Sequence, residues 1–279
     1  RRDQIRAVRV DLATLTATLT GRTIAGDERL GNDVVLACAA DAGKRRVGVL
    51  RGLRERPRPG SPYLLEPDLK EGAGGRRDFD ELTWTAAALL GAPQAAPWAL
   101  SELGVLSAEE ADRLEQAAEI VAAARWELQL LGSGSQMTLD AAEELQTDPA
   151  LVQQALADTH HLLLQVRDRI ADRTPRGTAP LSGADVLELI AAGTDGAPAL
   201  EEAAWSGRMD ALVPGFSGLM TLRRPGLAHT LTVGAHCLKT AALVREIGTG
   251  VTESPGGEIA SRSFRMLDDP RVATVAALV

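Results

Sequence analysis

Apolar residues recur at helical spacing through most of the chain. From Leu114 onward, Ala117, Val121, Ala124, Leu128 and Leu131 fall on one face. Ser107 and Glu110 place a capping box in front of that face, and "GSGS" at 132–135 closes the element. A second face comprises Val152, Ala155, Leu156, Thr159, Leu162, Leu163, Val166 and Ile170, behind an Asp148–Pro149 start. "SGADVLELIAAG" predicts a short helix with Gly193 as its C-cap. "GDERLGNDVVLACAADAGKRRVGVLRGLRER" predicts a helix with a solvated basic end. "DDPRVATVAALV" predicts an apolar helix at the end of the chain. The exceptions are few. Val8, Val10 and Leu12 alternate with Arg9 and Asp11, which predicts a short strand followed by a helix or a second strand. "PRPGSP" and "RTPRGTAP" are breakers, and "VTESPGGEIASRS" predicts a loop. The expected fold is mainly α.

Composition narrows this further. Hydrophobic residues make up 45% of 279 positions and aromatics only 3%, so the core must be built from Leu, Val, Ile and Ala. A net charge of −8 argues against a nucleic-acid polymer as main partner, but leaves room for a small nucleotide at a local basic cluster. No run is long and apolar enough for a membrane span. Cys38 and Cys237 lie far apart in sequence and form no framework, so a reducing cytoplasm is expected. The chain opens on Arg1 and stops in an apolar run, which suggests a fragment of a longer protein.

One stretch breaks the helical pattern. "PYLLEPDLKEGAGGRRDFDELTW", residues 62–84, crowds charge and glycine together. Gly72, Gly74 and Gly75 allow positive φ and close approach of backbone N–H groups to an anion. Lys70, Arg76 and Arg77 are cationic partners for phosphate oxygens. Glu66, Asp68, Glu71 and Asp78 are acids that bind Mg²⁺ or hold those bases in place. From spacing alone the residues better suit a charged turn with a salt-bridge network, ahead of a helix starting near Asp78, since a glycine-rich loop is weak evidence for phosphate binding. His160 and His161 are adjacent on a helix, so they face different ways and form no i,i+4 metal pair; one is expected at the core edge, the other in water. Cys237 reads as a small core residue.

The wording of this stretch resembles the motif of the PII uridylyltransferase/uridylyl-removing enzymes, L-E-P-x-x-K-E-G-x-G-G-L-R-D-x-x-x-L-x-W. Leu65, Glu66, Pro67, Lys70, Glu71, Gly72, Gly74, Gly75, Arg77, Asp78, Leu82 and Trp84 match, while Arg76 replaces a leucine. "TATLTGRTIAGDERL" and "LSAEEADRLEQAAEIVAAARWELQLL" resemble further family segments. "RRPGLAHTLTVGAHCLKTAALV" resembles the opening of the family's second catalytic domain, with His229, Thr232, Val233 and His236 in place; Ala228 replaces a tyrosine and Gly234 an aspartate.

The resemblance implies three parts: residues 1–60 as the end of a nucleotidyltransferase α/β domain, residues 61–214 as a helical domain carrying the motif, and residues 215–279 as the start of an HD-type hydrolase domain. It implies transfer of UMP, or AMP, from UTP or ATP to the PII signalling protein, its hydrolytic removal, and glutamine as regulator. Mg²⁺ would serve the transferase site, with Asp11 as a catalytic carboxylate on a late strand and Lys70, Gly74, Gly75 and Arg77 binding the nucleotide. A divalent metal would serve the HD site, with His236 as its first ligand. Restoring aspartate at Gly234 is then expected to tighten metal binding. Ahead of the motif the chain has no paired D-x-D carboxylates, and after His236 it has no adjacent His-Asp pair, so no transfer is expected from it alone. Two other readings stand beside this one: a glutamine synthetase adenylyltransferase-like enzyme, which shares K-x-G-x-G-G-I/L-R-D/E but not T-V-x-x-H, and an inactive helical scaffold that binds a regulatory protein.

Overall fold

The computed structural model describes residues 11–56, 60–93, 96–171, 180–224, 230–250 and 257–277. These residues are mainly helical, with two isolated β-bridges and no sheet among them. The strand expected around Val8 to Leu12 is corrected at its one described apolar position: Leu12 opens helix α1 (Leu12–Leu19), and Asp11 is its N-cap. Val8 and Val10 lie outside the described residues. The long helix expected next is two, α2 (Glu28–Lys44) and α3 (Arg46–Arg54), broken at Arg45.

Helix α4 (Arg76–Leu90) is the centre of the fold. Eleven of its fifteen residues are buried, so it has no solvent face to speak of. One side carries Trp84, Ala87 and Ala88 into a core with Leu15, Leu19, Ala42 and Leu53 of α1 to α3. The other side carries Phe79, Leu82 and Ala86 against Leu100 of α5 (Ala99–Glu102), Leu114 of α6 (Ala108–Leu130), and Leu162 and Leu163 of α8 (Pro149–Ile170).

Helices α6 and α8 form the long antiparallel pair that the spacing predicts. Both caps are as expected: Ser107 with Glu110, and Asp148 accepting from the Ala150 N–H at 2.8 Å. Every residue assigned to the α8 face is buried except Ile170, which is half-buried, and Leu131 of the α6 face lies beyond the helix end. Arg169 forks onto Glu110 at 2.7 and 2.6 Å, tying the end of α8 to the start of α6. The short α7 (Leu139–Glu144) closes their far end.

The remaining helices are α9 (Gly183–Ala191), α10 (Ala197–Trp205), α11 (Phe216–Leu219), α12 (Val233–Thr249), α13 (Gly257–Arg265) and α14 (Pro270–Ala276). Val186, Leu200, Phe216 and Met220 pack on Ala235, Leu238 and Ala241 of α12. Packing therefore does not break at residue 214; α9 to α11 share a core with α12. The loop expected over residues 251–263 contains α13 instead. Ser261 and Phe264 bury against the end of α12, and the Ser261 hydroxyl donates to the Gly248 carbonyl at 3.1 Å.

Candidate functional site

The stretch from Tyr63 to Asp78 is an irregular clasp laid between three helices and two loops. Its first half pairs with the segment that leads into α12. Leu65 N–H donates to the Thr230 carbonyl and Thr232 N–H donates to the Tyr63 carbonyl, both at 2.9 Å. Arg223 donates to the Leu65 carbonyl at 2.8 Å and to Gln153 Oε1 of α8 at 3.0 Å. Its second half pairs with the loop after α6: Met137 N–H donates to the Pro67 carbonyl at 3.0 Å and Leu69 N–H to the Ser135 carbonyl at 2.9 Å. The Glu66 carboxylate accepts from Leu139 N–H at 3.0 Å.

The glycine turn follows. The Asp68 carboxylate accepts from the N–H groups of Lys70 and Glu71 at 2.7 and 3.0 Å and reverses the chain. Gly74 has φ +77°, and a Cβ there would lie 1.9 Å from the Leu156 carbonyl oxygen of α8. Only glycine lets these two backbones touch. The amides that a phosphate would need are already bonded inside the motif. Gly72 N–H donates to Asp68 O, Gly75 N–H to Gly72 O, Arg76 N–H to Leu69 O and Arg77 N–H to Lys70 O, all between 2.9 and 3.0 Å. Gly74 N–H donates to the buried Asp78 carboxylate at 2.7 Å.

What the motif presents outward is charge. Lys70 Nζ lies 3.3 Å from Glu71, Arg77 Nε 3.3 Å from the same carboxylate, and Arg76 Nε donates to Asp80 at 2.8 Å. The side chains of Lys70, Arg76 and Arg77 are each close to half exposed. Lys70, Gly74, Gly75 and Arg77 are thus brought together, the cations facing solvent and the glycines facing α8 and the clasp itself.

Asp11 and His236 are not part of this group. Asp11 caps α1, accepting from the Thr14 N–H and hydroxyl at 2.9 Å each; the Thr14 amide, then its hydroxyl, hold the carboxyl below its ordinary range. His236 is exposed on the first turn of α12, its N–H donating to the Thr232 carbonyl at 2.9 Å. Among the described residues no three His, Cys, Asp or Glu side chains converge as a metal site. A Cβ on Gly234 would meet Met220 Sδ at 2.7 Å, Met220 N at 2.8 Å and the Leu219 carbonyl carbon at 2.9 Å. Ala228 and His229 lie outside the described residues.

The spacing did not reveal the buried polar group beneath the clasp. Tyr63, the chain's one tyrosine, is fully buried with its hydroxyl 2.7 Å from His161 Nε2. Burial above all, then the charges of Glu201, Asp158 and Glu202, push that hydroxyl far above its ordinary pKa, so it stays protonated. His161 stacks on Trp205 of α10, with ring centroids 4.8 Å apart. The Trp205 indole N–H donates to Asp158 at 2.8 Å, and Asp158 also takes the Arg113 guanidinium of α6. His161 is the core histidine; His160 is not in water but half-buried, 3.4 Å from Asp78. The sequence signal for this group was a lone tyrosine at the head of the motif and a charged residue, Asp158, inside an apolar helix face. Both cysteines are free and half-buried, and among the described residues no helix is long and apolar enough to cross a membrane.

Comparisons with known proteins bear on the same stretch. The family model described as GlnD PII-uridylyltransferase matches residues 49–162. A bifunctional uridylyltransferase/uridylyl-removing enzyme of Cereibacter sphaeroides is 33% identical over 46% of the chain and 14% of its own length. The enzyme of that name from Rhodopseudomonas palustris is 36% identical over 38% of the chain and 12% of its own length. That of Ruegeria pomeroyi is 29% identical over 72% of the chain and 22% of its own length. The chain therefore spans less than a quarter of these relatives, and no solved structure matches it. The stretch that the GlnD PII-uridylyltransferase model matches, residues 49–162, holds the clasp, α4, α6 and most of α8.

Proposed function

We propose that the chain works as the helical framework of an enzyme that transfers a nucleotidyl group to the PII protein and removes it again. The supporting observation is that the family match covers the whole clasp, from Tyr63 to Asp78, together with α4, α6 and most of α8. In this reading UTP, or ATP, is the donor, PII the acceptor, glutamine the regulator and the cytoplasm the setting. Mg²⁺ at the transferase site and a second divalent metal near His236 would be completed by residues outside the described ones. Mg²⁺ would neutralise charge on the triphosphate.

Within the framework, Lys70 and Arg77 are the groups free to reach a triphosphate, because they are half exposed and share one carboxylate, Glu71. Gly74 and Gly75 act at one remove, by shaping the turn that aims those cations. The exposed ion pairs among them add little stability, so their removal should register in chemistry before it registers in folding.

In the complete enzyme, Arg77→Lys should lower nucleotidyl transfer about tenfold or more while leaving nucleotide removal nearly intact, since charge is kept and the forked geometry is lost. Transfer and removal are measured on PII with labelled nucleotide. Equal loss of both activities with a lower melting temperature would overturn the nucleotide role and leave Arg77 as a structural ion-pair partner.

A further inference from the structure

A cavity of about 310 Å³ opens where α3, α4 and the end of α8 meet. Its floor is the buried pair of Glu81 and Arg167, which are 2.6 Å apart, with Arg167 also donating to the Leu53 carbonyl at 3.1 Å. Its walls are apolar: Val47 and Leu50 of α3 and Ile170 of α8. Arg51 and Arg54 stand at its rim. Both are exposed, and among the described residues neither guanidinium has a hydrogen bond or ion pair. Their place in the last turn of α3 suits the dipole of that helix. That does not explain why two unpaired guanidinium groups border an apolar cavity of ligand size.

We propose that this cavity binds a small amphipathic anion, a short aliphatic chain ending in one carboxylate. The chain lies against Val47, Leu50 and Ile170, and the carboxylate sits between Arg51 and Arg54, whose planar forks match its two oxygens. Arg167 is committed to Glu81 and does not take part. A neutral head group forfeits the charge-assisted bonds, and a cationic one meets two like charges. The site shares no residue with the Lys70 and Arg77 group and does not depend on the nucleotide reading.

Calorimetric titration of the 279-residue chain with octanoate, octanol and octylammonium at fixed ionic strength tests this. Octanoate should bind one to one, and octanol about tenfold or more weakly, the cost of losing a charged hydrogen bond. Octylammonium should not bind. Arg51→Gln with Arg54→Gln should bring octanoate down to the octanol level at an unchanged melting temperature. Val47→Trp, at the exposed mouth, should weaken octanoate and octanol alike. No saturable heat with octanoate, equal affinity for all three head groups, or octanoate affinity unchanged in both variants would overturn the proposal.

Discussion

The clasp at residues 63–78 and the opening of α12 at residues 230–236 are joined by backbone hydrogen bonds yet built on opposite principles. The clasp satisfies itself. The amides of its glycine turn, its buried Asp78 and its turn carboxylate Asp68 find partners within the motif or on α8. The α12 opening does not. Among the described residues the Thr232 hydroxyl is buried with no hydrogen-bond partner, and Gly234 is held against the backbone of residues 219 and 220. The first region keeps the family pattern at nearly every position; the second departs from it where a side chain would no longer fit. A motif that closes its own hydrogen bonds can be conveyed by a short stretch of chain, whereas a site assembled from several segments cannot.

Four substitutions break or sharpen this contrast. The largest effect is expected from Gly74→Ala. The methyl group would overlap the Leu156 carbonyl and the backbone would be held at φ +77°, for a loss of about 3–5 kcal/mol in urea unfolding. Unchanged stability would mean the clasp does not touch α8. Gly234→Asp comes next. It sets a Cβ against the Met220 nitrogen and sulfur and the Leu219 carbonyl carbon, and about 2–4 kcal/mol should be lost. Calorimetry should show no gain in divalent-metal binding; a gain with intact stability would restore the family's pattern at this position.

Tyr63→Phe tests the joint itself. It deletes the hydroxyl next to His161 while keeping the ring, and should cost about 1–2 kcal/mol in thermal unfolding. No loss would mean that the packing of the ring carries the joint. The smallest effect is expected at Glu201, a largely buried carboxyl that His160 and Lys239 act on. Burial first of all raises its carboxyl pKa, against the opposing pull of His160 and Lys239. A folded-state value above the unfolded one means that the folded protein holds the proton more tightly. That contribution is fully present below the ordinary value of 4.5 and is lost as pH rises through the folded value. Glu201→Gln should therefore stabilise the protein on the order of 1 kcal/mol at pH 7, and the gain should vanish in melts below the ordinary carboxyl value. A stabilisation independent of pH would place the effect in packing, not charge.

The helices α6 and α8 were legible residue by residue, because their apolar faces repeat over five or six turns and begin at strong caps. The break at Arg45 was not, since nothing local marks it. Helix α13 was hidden by the glycines and proline ahead of it, and its burial of Phe264 against Gly248 is a contact only the folded chain supplies. In the candidate site, the grouping of Lys70, Gly74, Gly75 and Arg77 was legible because they are neighbours in sequence. The direction each one faces was not.

Sequence alone determined the helical class, the caps and the motif, all of which depend on residues within one or two turns of each other. Tertiary structure decided how they are used. The glycines of the motif face the α8 backbone, not an anion, because Leu156 arrives from more than eighty positions away. Tyr63 became a buried joint because His161, Glu201 and Thr232 converge on it from three different segments. Position 234 is crowded because Leu219 and Met220 come to lie against it. Local spacing can specify a helix, but a buried contact depends on which distant backbone comes to lie against it.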